Sequence, residues 1–187
     1  MNTLLVHLYG APCSGKSVKM MQLGVIGKLR RHYCEICPEV AKEYVVQHIE
    51  ITREVQWNLT REQQRRQLCF VGHVEVLITD APILIGGFYS HYRNLANLEE
   101  IDREFGRMDA EVRAKADRVV NVYMWRDHPY DEAGRLESEC EDEEIARRMW
   151  EYVKERHAGQ TIIEARSTES PEEIWERIIT VARRSRP

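Results

Sequence analysis

The strongest constraint in the sequence is Gly10-Ala-Pro-Cys-Ser-Gly15-Lys16-Ser17, set between two stretches of different periodicity. Leu4–Tyr9 before it is a short apolar run, the pattern of a strand buried on both faces. Lys16–Arg31 after it reads as a helix, with Met21, Val25 and Leu29 on one face. A strand entering a glycine turn that opens a helix satisfies every fixed position of G-x-x-x-x-G-K-[ST]. The glycines let the backbone curl so that successive N–H groups point inward, and the helix N-terminus adds its positive end. Such a loop cradles the phosphates of a nucleotide, so Gly10, Ala11, Pro12, Cys13, Ser14, Gly15, Lys16 and Ser17 are the expected nucleotide-binding residues. Lys16 is placed to reach the β- and γ-phosphates, and Ser17 to offer a hydroxyl to Mg²⁺. ATP is taken as the nucleotide by default over GTP, because no N-K-x-D signature of guanine specificity is present.

The rest of the chain alternates strand and helix. Tyr33–Cys37 is a second strand stopped by Pro38, and Glu39–Val46 looks helical. Thr60-Arg-Glu-Gln63 has the form of a capping box opening a helix to about Val71. Val74–Thr79 is a third strand. Ala81–Asn97, with Pro82, Gly86 and Gly87, reads as a loop. Leu98, Ile101, Phe105, Met108 and Val112 mark an amphipathic helix. Val119–Met124 is a fourth strand, followed by an irregular polar segment at 126–139. Asp142–His157 is a helix, Thr161–Ile163 a short fifth strand, and Ser170-Pro-Glu-Glu173 a strong helix start. This alternation implies an α/β, three-layer P-loop NTPase fold, a parallel five-stranded sheet with helices on both faces. The length of 187 residues suits one domain spanning 1–187, with a lid at about 126–139.

Charge and composition narrow the partners. The net charge of −4 argues against a dedicated basic scaffold for duplex DNA. The arginines at Arg30–Arg31, Arg61–Arg65–Arg66 and Arg147–Arg148 read as solvated helix faces. No apolar run suffices for a membrane helix, and the N-terminus lacks the marks of a signal peptide. Five cysteines, an odd number, fit a reducing cytoplasm. Cys34 and Cys37 form a lone CxxC with no second pair for zinc, and read as buried small apolar residues.

Asp80 closes the third strand, where an acid holds Mg²⁺ directly or through water. Asp117, which begins a strand, and Asp127, which follows one, are other acids at strand ends, with Asp127 the weaker rival for the metal. A lid needs arginines to neutralise the transferred phosphoryl group, and Arg126 and Arg135 are the candidates, with Arg147 and Arg148 further out. Glu39, past the second strand on the carboxyl side of the sheet, is placed to act as base or acceptor ligand, with Glu43 one turn later as understudy. The aromatics Phe88, Tyr89, His91 and Tyr92, with Arg93, are placed to stack and clamp a base. Base recognition of the nucleotide falls to about Ala165–Thr168.

These stretches resemble the kinase domain of NadR-type ribosylnicotinamide kinases and the small P-loop ATPase domains around it. Pro38-Glu-Val-Ala-Lys-Glu43-Tyr44 is similar to that group's P-E-x-A-R-E-Y motif. Val76-Leu-Ile-Thr-Asp80 is similar to its strand ending in C-D-T-D, with Pro82 in place of the second Asp. Asp127-His-Pro-Tyr-Asp-Glu-Ala-Gly-Arg135 is similar to its lid motif, with Tyr130 in place of the tryptophan. The resemblance implies Glu39 and Asp131 near the acceptor and Arg135 near the phosphates. Similar small kinases are common in phage-type genomes. The expected activity is Mg²⁺-dependent transfer of the ATP γ-phosphate to a hydroxyl of a nucleoside-type small acceptor. The alternatives are a kinase acting on nucleic acid (a polynucleotide end or a hydroxymethylated pyrimidine), an ATPase without an acceptor, and a structural P-loop. AAA-type motors usually carry an additional helical domain for which 187 residues leave little room.

Overall fold

The computed structural model describes residues 2–130 and 138–184. Five parallel strands form one sheet: β1 (Leu4–Tyr9), β2 (Cys34–Cys37), β3 (Val76–Thr79), β4 (Arg118–Trp125) and β5 (Ile162–Arg166), in the order β2-β3-β1-β4-β5. β1 is central, with Leu4 opposite Val76 on one side and Arg118 on the other. The helices are α1 (Lys16–Leu29), α2 (Ala41–Val46), α3 (Arg53–Phe70), α4 (Ile83–Tyr92), α5 (Leu98–Ala114), α6 (Glu139–Arg156) and α7 (Pro171–Arg184). The period-2 alternation of β1 splits the core into two layers. Leu4, Val6 and Leu8 pack with Met20, Leu23 and Ile26 of α1 and Ile174, Trp175 and Ile178 of α7. On the other face Leu5 packs with Ile101, Phe105, Met108 and Val112 of α5, while Tyr9 packs with α4 and α6.

Four sequence expectations are corrected. Met21, Val25 and Leu29 are exposed, and the buried face of α1 is Met20, Leu23, Gly24, Ile26 and Gly27. Both stripes have helical spacing, but only the glycine-bearing one can close on the sheet. A Cβ at Gly24 would lie 2.7 Å from Ile36, and one at Gly27 2.8 Å from the Cys34 sulfur. The segment read as a loop contains α4, ten residues long. It is apolar around most of its girth and buried between α3, α5 and α6, so no amphipathic period marks it. Its Gly86 and Gly87 admit neighbours: added Cβ atoms would meet Thr60 Oγ1 at 2.5 Å and Tyr152 Oη at 2.7 Å. Thr60 caps nothing. α3 starts two turns earlier, where the Thr52 hydroxyl accepts from Val55 N, and the Thr60 hydroxyl donates to the Gln56 carbonyl at 2.9 Å. α6 starts before Asp142, on a Ser138–Glu141 capping box.

The cysteines of the lone CxxC are both buried. Burial pushes the Cys34 thiol up to about 11 and the Cys37 thiol to about 12, so they pack as uncharged groups.

Under the sheet, between β1, β4, α5 and the end of α6, lies a polar cluster. His7 is fully buried, with the Asn121 side chain as the polar group beside its ring. Tyr9 Oη and His157 Nε2 are 2.9 Å apart. Burial, reinforced by Arg113, lowers His7 well below the ordinary range and takes His157 to about 4. Burial raises Asp109 to about 6 against the pull of Arg113. A histidine whose folded pKa is depressed gives stability that is present above its unfolded pKa, near 6.5, and is lost as pH falls toward the folded one. Asp109 acts oppositely, losing its contribution as pH rises through 6. A His157→Gln protein keeps Asp109 and His7 and removes one titration. Acidification from pH 7 to pH 5 is therefore expected to lower the melting temperature of the wild type by several degrees more than that of His157→Gln. Parallel melting curves for the two proteins would contradict this.

Candidate functional site

The glycine loop follows β1 at the carboxyl edge of the sheet. Gly10 takes φ +144°, and a Cβ there would lie 2.5 Å from the Met124 carbonyl, so only glycine fits between β4 and the loop. Gly15 takes φ +78° and faces Ser167, in the turn after β5. Cys13 also has positive φ, at 60°. The Lys16 ammonium folds back onto the loop, donating to the Gly10 and Ala11 carbonyls at 2.6 Å each. That places its charge over the concavity the loop encloses.

Asp80 ends β3 with its side chain fully buried. Its carboxylate accepts from Ser17 Oγ at 2.5 Å and from the Glu39 amide at 2.9 Å. The two oxygen groups expected to share a cation are thus in direct contact. Lys42 joins them. Its ammonium donates to Ser17 Oγ and lies 3.4 Å from Asp80 Oδ2, so a positive charge already sits against both oxygen donors. Sequence reasoning quoted Lys42 within the Pro38–Tyr44 motif but gave it no role. Its place four residues after Pro38, one turn behind Glu39, was the available signal.

From the loop a cavity of about 380 Å³ runs beneath α2 toward α3 and α4. Its phosphate end is lined by Gly10, Pro12–Ser17, Glu39, Lys42 and Asp80. Its far end is lined by Val45, Ile51, Leu59, Ile83 and Ile85, with Gln56, Thr60, Gln63, Tyr89 and Arg93 as the polar groups. Ala11 is buried beside the loop and packs with Tyr9.

The remaining expected residues fall in different places. Glu39 precedes α2 and lines the cavity, whereas Glu43 is exposed, pairs with Arg66 at 3.1 Å and does not line it. Of the aromatic group, Tyr89 and Arg93 line the cavity, with the Arg93 guanidinium 5.5 Å from the Tyr89 ring centre. Phe88 is buried against Tyr92 and Tyr152, and His91 is 2.9 Å from Asp102. Arg126 is engaged by Asp142 at 3.2 Å and Glu139 at 3.1 Å, and its guanidinium lies 5.3 Å from the Tyr130 ring centre. Arg135 and Asp131 lie outside the described residues. Asp127 is no metal rival in this arrangement. It holds the turn after β5, accepting from Ser167 Oγ, Thr168 Oγ1 and Thr168 N. Burial works to raise its pKa, and these hydrogen bonds outweigh it and hold the carboxyl below the ordinary range. Asp117 accepts from Thr3 N at the opposite edge of the sheet. Arg65 and Arg66 are paired with Glu62, Arg30 with Glu176, and Arg148 with Glu144. These are ion-paired, solvated faces.

Comparison with known proteins fits this geometry. Two solved structures share the fold, a NadR protein in complex with NAD and AMP-PNP and a NadR protein in complex with NR. The first superposes with a TM-score of 0.72 at 12% identity over 99% of this chain, and the second with 0.69 at 12% over 96%. This chain spans about half of each, 51% and 52% of their lengths. No curated protein matches the chain by sequence. A protein-family model described as an AAA domain matches residues 5–171, from β1 to the start of α7. The chain therefore belongs to this AAA-domain family of P-loop proteins.

Proposed function

We propose that the protein is a Mg²⁺-dependent kinase that transfers the γ-phosphate of ATP to a hydroxyl of a nucleoside-type small acceptor. The observation that carries this reading is the cavity itself. It continues past the phosphate loop into a chamber whose apolar walls, from Val45, Ile51, Leu59, Ile83 and Ile85, carry the polar groups of Gln56, Thr60, Gln63, Tyr89 and Arg93, the form of a small-molecule site. An ATPase without an acceptor has no need of that chamber. The ion-paired arginine faces and the net charge of −4 give no support to a polymer acceptor.

In this reading Lys16 leaves the Gly10 and Ala11 carbonyls for the β- and γ-phosphates, and the loop amides hold the same oxygens. Oxygen donors suit Mg²⁺, and the positive Lys42 ammonium against Ser17 and Asp80 supports the reading of this pair as a cation site. Mg²⁺ when bound neutralises charge on the phosphates. Ser17 and Asp80 would hold the ion, and Lys42, released from them, would be available to the transferred group. Glu39 lies between this end and the chamber, placed to orient or deprotonate the acceptor hydroxyl. Arg126 and Arg135 are the proposed partners of the transferred phosphoryl group, Arg126 having first to release Asp142 and Glu139. The turn at Ser167–Thr168, against Gly15, is placed to receive the base of ATP. The NR-bound relative supports a ribosyl acceptor. No helix among the described residues is long and apolar enough to cross a membrane, and a reducing, cytoplasmic setting for the five cysteines is part of this proposal.

ADP release with and without acceptor tests the reading. A ribosyl acceptor is expected to raise it tenfold or more above the rate with ATP alone. One rate under all conditions would leave an ATPase.

A further inference from the structure

The row Val18, Met21, Val25 and Leu29 has the spacing of a buried helix face, yet the fold leaves it in solvent. α1 closes on the sheet with Leu23, Ile26 and its two glycines, so this second row faces away from the core. Its four side chains, with Tyr33 in the turn into β2, are between 50% and 78% exposed. Apolar side chains held in water forgo the stabilisation of burial, so a contiguous row of them needs a reason. Gln22, the polar residue among them, is uncharged. The cations at the end of the row are already neutralised within the chain. Lys28 pairs with Glu35 at 2.8 Å, and Arg30 with Glu176 at 2.5 Å.

Size and arrangement identify the occupant. The five side chains expose roughly 500 Å² of apolar surface, the scale at which a patch marks an association site. A stable dimer takes roughly 800 Å² from each partner, about 60–65% of it apolar, which is the area present here. The row is also arranged about its own middle. With two α1 helices antiparallel, Val18 falls opposite Leu29 of the partner subunit, and Met21 opposite Val25 of the partner subunit. A two-fold axis repeats both contacts, so the surface fits a second copy of itself. An anionic membrane surface would be held by free basic residues along the rim, whereas Lys28 and Arg30 are engaged by Glu35 and Glu176.

We propose that the outer face of α1 is a homodimer interface, in which two copies of this chain pair their α1 helices antiparallel about a two-fold axis. Val18 also lines the nucleotide cavity, as does the exposed Val46 of α2. The interface therefore begins at the rim of the cavity. It sets Leu29 of the partner subunit against the first turn of the helix that carries Lys16 and Ser17.

Sedimentation equilibrium of the whole protein tests this, with the wild type, Met21→Lys and Val25→Glu. The wild type is expected to dimerise with a Kd of about 10 µM or below. Each variant places an unpaired charge in the seam and is expected to raise the Kd at least about 50-fold. Both positions are exposed, so the melting temperature of either variant is expected to stay within about 2 °C of the wild type. An equal mixture of the two variants is expected to recover a dimer. The introduced lysine and glutamate then face each other across the axis, and the other Met21–Val25 contact is unaltered. A wild type that stays monomeric at about 100 µM overturns the proposal. A dimer that both variants leave intact overturns it too, and a mixture that stays monomeric overturns the antiparallel pairing it states. Flotation of a monomeric wild type with phosphatidylserine vesicles, lost in Val25→Glu, would give the face to a lipid surface instead. Phosphate transfer plays no part in the readout, so the outcome is independent of the kinase reading.

Discussion

The Lys16→Ala protein is expected to fold like the wild type and to lose phosphate transfer by about 10³-fold, the scale on which removal of a single transition-state donor acts. Lys16 is half-exposed, and its ammonium donates to the Gly10 and Ala11 carbonyls and to Ser14 Oγ. Each of these bonds contributes about 1–2 kcal/mol, so the melting temperature is expected to move by only a few degrees. Near-normal transfer by Lys16→Ala would show that the loop does not hold the reacting phosphates. A collapse of the melting temperature would show that the lysine supports the fold.

Asp80→Asn is expected to cut the rate by about 10²-fold or more and to move the Mg²⁺ requirement at least tenfold upward. The carboxylate is buried and meets Ser17, Lys42 and the Glu39 amide. The asparagine oxygen can still accept from Glu39, so the turn into α2 survives, while the charge that pairs with a cation is gone. Lys42→Met isolates the competing ammonium and is expected to lower the Mg²⁺ concentration for half-maximal ATP binding, because nothing has to be displaced. Calorimetric Mg²⁺ titrations of the three proteins check this. The same midpoint for wild type and Asp80→Asn would remove Asp80 from the cation site.

Sequence alone reveals the parallel sheet and the phosphate loop, because both rest on local chemistry. β1 is an uninterrupted apolar run, and the glycines of the loop have no other use at that spacing. Asp80 was legible for the same reason, since strand ends in such sheets face the ligand. The chamber was not. α4 carries its message in Gly86 and Gly87, which read as loop formers until α3 and α6 are seen against them. The polar row of α3, Gln56, Thr60 and Gln63, has helical spacing, but an ordinary apolar-stripe reading discards glutamine, and Thr60 was drawn into a capping box instead. On α1 the choice between two stripes depended on which one the sheet could approach, and glycine rather than leucine decided it. Lys42 was quoted within the Pro38–Tyr44 motif but given no role, because a surface lysine on a short helix carries no periodic signal. Its meaning comes from contact with Ser17 and Asp80, 25 and 38 residues away.

The measurement that bears most directly on the central claim is transfer of label from γ-labelled ATP in the presence of Mg²⁺, with the products identified by mass. The acceptors are nicotinamide riboside, nucleosides, nucleoside monophosphates, single- and double-stranded DNA and hydroxymethyl-pyrimidine DNA, and Lys16→Ala is the blank. The expected result is label on a ribosyl small molecule that disappears in the blank and is insensitive to salt. Label on DNA alone, falling steeply with salt, would contradict the small-acceptor claim. Label only in free phosphate, at one rate across the panel, would contradict the kinase claim altogether.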